Sequence, residues 1–262
     1  MKLGKVLTII LIGFFSSCAN ESKKNEEWTK VTRESKTVDN ITYYFSSTID
    51  LSRRSLAIQE CQNSIIENLK LINETDFTNK MDIEFVESRN KMLKYTGMGA
   101  QGMAFPERNT FFTLLKDEGS PIKHEMMHMI TMYKWGTPPE SSTWMNEGLA
   151  TYSGGNCSNY SLSEIYNYFI QSKKVIPMNN LADNFYGNPE MIAYHQSAFV
   201  CKFLIDNYGL DKFKLLWQKG FNELYTVYGF SAKQLEMNLL KFVKEKHTTD
   251  IEFNWEKFNE GC

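Results

Sequence analysis

The chain has 262 residues, of which 42% are hydrophobic and 23% charged, with a formal net charge of −2. That composition belongs to a folded globular protein and excludes a disordered chain or a polytopic membrane protein. There is no basic patch with interleaved aromatics, so nucleic acid is not an expected partner.

The chain starts with Lys2 and Lys5, followed by an apolar run from Val6 to Phe15. A helix that crosses a bilayer needs ~20 apolar residues, so this shorter run reads as a signal peptide. It ends in Phe15-Ser16-Ser17-Cys18, which resembles the lipobox of bacterial lipoproteins. The resemblance implies lipidation of Cys18, removal of residues 1–17 and a lipid-anchored location in the cell envelope. Plain secretion is the alternative. Loss of residues 1–17 removes Lys2 and Lys5 and no acids, taking the net charge from −2 to −4. Residues 18–40 are polar and aperiodic and read as a tether. Cys61, Cys157, Cys201 and Cys262 permit two disulfides or buried free thiols, and the sequence leaves the choice open.

Ile41–Ser47 is β-branched and aromatic, a first strand. Asp50 suits the cap of a long helix reaching about Ile72, with Leu56, Ile65, Ile66 and Leu69 among its apolar positions. Met81–Glu87 alternates and predicts a second strand. Residues 97–115 predict a β-ribbon turning at Pro106–Asn109. Ser120 and Pro121 then suit the cap and first position of a helix that Gly136 and Pro138-Pro139 end. Ile122, Met126, Met129, Ile130 and Tyr133 line one side of it. Further helices are expected from Thr143 to Tyr152, from the Ser161/Glu164 capping box to about Lys174, from Asn188-Pro189 to Tyr208, and behind caps at Asp211 and Ser231. Strands followed by helices argue for an α+β fold, with a single domain over residues 41–250 and a tail over 251–262.

The expected helix after Pro121 carries His124-Glu125-Met126-Met127-His128. Two histidines four apart project from one helical face and can share one metal, leaving Glu125 beside it as a base. Five residues with three fixed recur by chance, so a third ligand is required. Glu147 supplies one, in Trp144-Met-Asn-Glu-Gly-Leu-Ala150, with eighteen residues between it and His128. Two His and one Glu leave a coordination position open, as a catalytic zinc requires.

Together the two segments resemble the gluzincin metallopeptidases, the thermolysin-like clan, and look closest to the aminopeptidase N branch with its H-E-x-x-H, eighteen residues, W-x-N-E-G-[FL]-A signature. The resemblance covers about residues 100–245. It implies Zn2+ held by His124, His128 and Glu147, with Glu125 as general base and peptide or protein as substrate. Tyr194, in the first turns of the helix expected from Asn188-Pro189, matches the position of the clan's oxyanion-binding tyrosine. The strand that in aminopeptidases carries a glutamate for the substrate's free amine reads Gly102-Met-Ala-Phe-Pro106 here and has no acid. Exopeptidase specificity is therefore not implied. The rival reading is a non-enzymatic envelope lipoprotein with a structural or vestigial zinc site.

Overall fold

The computed structural model describes residues 33–116, 119–247 and 251–261. Cys18 and residues 1–17 lie outside them. Strands β1 (Arg33–Val38), β2 (Ile41–Ser46), β3 (Met81–Val86), β4 (Gly102–Phe105) and β5 (Thr110–Leu114) form one sheet in the order β1-β2-β3-β5-β4. β2, β3 and β5 run parallel, and β1 and β4 are antiparallel edges. β2 alternates: Ile41, Tyr43 and Phe45 are buried, and Phe45 stacks on Phe85 across the parallel pair at 4.7 Å.

The parallel pairing requires a crossover. Helix α1 (Leu51–Leu71) supplies that between β2 and β3; Asp50 caps it by accepting from the Arg53 amide. Helix α2 (Arg89–Thr96) crosses between β3 and the β4–β5 ribbon, where Met92 joins Val86, Phe112 and Leu114 in a small satellite core. The remaining named elements among the described residues are helices. α3 (Ile122–Trp135) packs on α1, and α4 (Thr143–Gly154) packs on α3. α5 (Leu162–Gln171) begins with the expected capping box and is followed by the short α6 (Met178–Asp183). α7 (Glu190–Tyr208) lies along α4. α8 (Leu210–Lys219), α9 (Leu224–Tyr228), α10 (Ala232–Lys246) and α11 (Trp255–Asn259) complete the lobe. The fold is α+β, with the sheet on the N-terminal side. No helix among the described residues is long and apolar enough to cross a membrane.

Several expectations need correction. Residues 33–38 belong to the sheet and not to a tether. β1 is an exposed edge, held by backbone pairing to β2 and by the ion pair of Glu34 with Arg54, so it carries no apolar alternation. Residues 255–259 are helical and not a loose tail, because Phe258 is buried against Phe169 and His195. On α1 the core face is Ala57, Ile58, Cys61 and Leu69, whereas Leu56 and Ile66 are 64% and 66% exposed. Ser120 does not cap α3; its hydroxyl accepts from the Lys116 amide and Pro121 takes the capping position. α8 starts at Leu210 behind Gly209, with Asp211 in its first turn. Cys61 and Cys201 are free and buried, and Cys157 is disulfide-bonded.

Candidate metal centre

Ile122, Met126, Met129 and Ile130 bury one side of α3, and this turns His124 and His128 away from them. The two rings cross at 80° with centroids 4.8 Å apart, and their Nε2 atoms are 3.1 Å apart. α3 stops at Gly136, whose φ of 87° favours glycine. The chain turns through Pro138-Pro139 and returns as α4, where Trp144, Met145 and Leu149 are buried. Glu147 comes back against the histidines: its Oε2 lies 3.4 Å from His124 Nε2 and 3.3 Å from His128 Nε2. The preceding residue orients a ring. His128 Nδ1–H donates to Asn146 Oδ1 at 2.9 Å, which turns Nε2 toward the cluster.

Gly148 shows why a glycine follows the glutamate. A Cβ there would sit 2.7 Å from the Ser197 carbonyl carbon and 2.8 Å from Cys201 Sγ, so α4 and α7 meet backbone to backbone. That contact brings Tyr194 to the site. Its ring lies 6.2 Å from that of His124 and 5.0 Å from Phe185. Burial, and then the charge of Glu147, keep the Tyr194 phenol protonated far above its ordinary range.

Glu125 is 6% exposed and projects toward β4. A Cβ on Gly102 would fall 2.6 Å from Glu125 Cγ, so only glycine lets this side chain lie against the strand. The Ala104 amide donates to its carboxylate. Burial raises the Glu125 pKa; the nearby His124 and His128 oppose that rise, and Glu147 adds to it. Burial would disfavour the His128 imidazolium, but the Glu147 carboxylate prevails and lifts it to about 9. Glu147 itself is held well below the usual carboxylate range, because the His128 charge and the histidine hydrogen bonds outweigh its burial.

His124 and Tyr194 line a cleft of about 1360 Å³ bordered by α1, β4 and the segment leading into α7. His195 lines it too but stays apart from the cluster. Its Nδ1–H donates to the Met191 carbonyl, and burial pulls its pKa down to about 4. Sequence reasoning missed Tyr186, whose hydroxyl donates to Glu147 Oε1 at 2.8 Å. The only available signal was a tyrosine inside the turn-forming stretch Asn184-Phe-Tyr-Gly-Asn-Pro189.

Donors about 2.0–2.1 Å from a tetrahedrally bound metal stand about 3.3–3.4 Å from one another. The three separations found, 3.1, 3.3 and 3.4 Å, match those edges. Among the described residues, His124, His128 and Glu147 form the one group of three or more His, Cys, Asp or Glu placed to hold a metal. Residues 83–245, more than half of the chain, match the family profile of the Peptidase MA superfamily. The chain belongs to the peptidase MA superfamily. Comparison with curated proteins returned no match. Membership of the peptidase MA superfamily makes this a peptidase-type hydrolase fold with peptides or proteins as its substrate class, in a family that is typically metal-dependent.

Proposed function

We propose that the protein is a zinc-dependent metallopeptidase of the gluzincin type. The observation that carries this is the set of three donor atoms at tetrahedral-edge separations, with the buried Glu125 carboxylate on the same helix and an open cleft before them. His124, His128 and Glu147 would hold zinc. When bound, zinc supplies Lewis-acid charge that polarises a carbonyl and acidifies a water toward neutral pH.

The remaining work falls to the chain. Glu125 takes the proton of the attacking water and passes it to the leaving amine; its raised pKa suits both halves of that exchange. The protonated Tyr194 phenol donates to the oxyanion that forms at the scissile carbonyl, a contact of a type contributing roughly 3–4 kcal/mol. The edge strand β4 offers backbone groups to an extended peptide, as sheet edges do. β4 itself, Gly102–Phe105, carries no carboxylate to hold a free amine.

Replacing Glu125 by Gln keeps the size of the side chain and removes the base. Zinc content should stay near one equivalent, while kcat/KM on a peptide library falls by about 10²–10⁴-fold. A Glu125→Gln protein with wild-type turnover would sink the assignment. We also infer that Cys18 is lipidated and anchors the enzyme to the cell envelope, from the lipobox-like Phe15-Ser-Ser-Cys18. Cys18→Ser should release the protein from the membrane fraction; unchanged membrane association of that variant contradicts the anchor.

A further inference from the structure

The metal-binding reading accounts for Glu147 Oε2, which faces both imidazoles, but gives no role to Oε1. That oxygen accepts the hydrogen bond from the Tyr186 hydroxyl. Tyr186 is 70% exposed, yet the carboxylate it reaches is buried, so the ring lies on the cleft wall with its hydroxyl pointing inward. Exposing an aromatic face this way is not what core packing would select.

The segment that presents Tyr186 is tightly built. It is the single 3-10 turn Phe185–Gly187. A Cβ on Gly187 would lie 2.7 Å from Asn184 Cγ, so the turn closes on its own asparagine. Asn188 Nδ2 donates back to the carbonyls of Asn184 and Phe185 at 2.7 and 3.3 Å. Phe185 meets Tyr186 edge-on at 5.2 Å and Tyr194 at 5.0 Å, tying the turn to α7. The hydroxyl is therefore held in place by a braced turn and does not hang from a loose loop.

A carboxylate carries two oxygens that can both bind a cation. Turning Glu147 to offer both would break the bond to Tyr186 and fill the position that a catalytic metal needs open. We propose that Tyr186 is a positioning residue that fixes Glu147 as a one-oxygen ligand and so keeps a coordination site free for water and substrate; this rests on the metallopeptidase reading above. Tyr194 and Tyr186 then divide the labour: one faces the substrate carbonyl, the other restrains a ligand.

Tyr186→Phe removes the hydroxyl and keeps the ring. In the full-length protein, zinc affinity measured by chelator competition should fall about 10–100-fold, the range for losing a partner of a metal ligand. The zinc K-edge absorption spectrum should gain an oxygen neighbour, while the thermal midpoint of the metal-free protein stays that of the wild type. Unaltered affinity and zinc environment in Tyr186→Phe would overturn the positioning role and leave the metallopeptidase reading standing. A metal-free midpoint that drops along with affinity would also overturn it, assigning the hydroxyl to folding. A wild-type protein that binds no zinc would overturn both readings.

Discussion

A single missing carbon positions the base. Gly102 has ordinary strand pairing with Thr113, so its backbone places no special demand on glycine; the demand comes from Glu125, which occupies the space of the absent side chain. Both Cγ and the carboxyl of Glu125 lie in that space, so the conflict cannot be relieved by swinging a flexible tip. Gly102→Ala should therefore rotate Glu125 away from the cluster without touching His124, His128 or Glu147. Displacing a catalytic group by about 1 Å costs on the order of 10²-fold in rate. The expected result is a loss of that size in kcat/KM with zinc stoichiometry unchanged, read by peptide hydrolysis and metal analysis on one preparation. Wild-type activity in the alanine variant would show that the strand does not position the base.

Among the elements, those with caps and breakers were legible in the sequence. Asp50, the Ser161/Glu164 box and Ser231 all cap as their spacing indicates, and Gly136 and Gly209 end helices where expected. The β4–β5 ribbon turns at Pro106–Asn109, where Asn109 takes the left-handed conformation that closes it. Elements lacking an apolar stripe were not legible. β1 has an exposed face and a polar composition, α2 buries only Met92, and α11 depends on aromatic contacts with distant α5 and α7. The site follows the same division. His124, Glu125 and His128 could be read because they recur at a helical interval on α3, and Glu147 because its spacing from His128 and the segment 144–150 resemble a known signature. Tyr186 could not, because it meets its partner through an irregular turn and across 39 residues of chain. The Gly148 contact explains why the assembly of separate helices is nonetheless tight: α4 cannot slide on α7 without driving Glu147 and Tyr194 apart.

At the scale of the whole molecule, the centre ties stability to pH and to metal. Without metal, His128 holds its proton up to about 9, above the ordinary value of 6.5. A histidine whose folded pKa is raised contributes stability that is fully present below about 6.5 and lost as pH rises through about 9. Glu125 acts in the same direction, since its raised pKa means that ionising the buried carboxyl disfavours the fold. Buried His195 has the opposite sign. With its pKa depressed to about 4, its contribution is present above about 6.5 and is lost only on acidification, so it does not mask the alkaline loss. The metal-free protein should therefore lose thermal stability between about pH 7 and about pH 10. Zinc and the His128 proton compete for one nitrogen, so apparent zinc affinity should climb about tenfold per pH unit above neutrality and level off past about pH 9. Thermal midpoints in chelator and zinc titrations across that range measure the two halves. An affinity flat from pH 7 to 9, or a metal-free midpoint that rises over the same span, would show that His128 is not the group the metal must deprotonate.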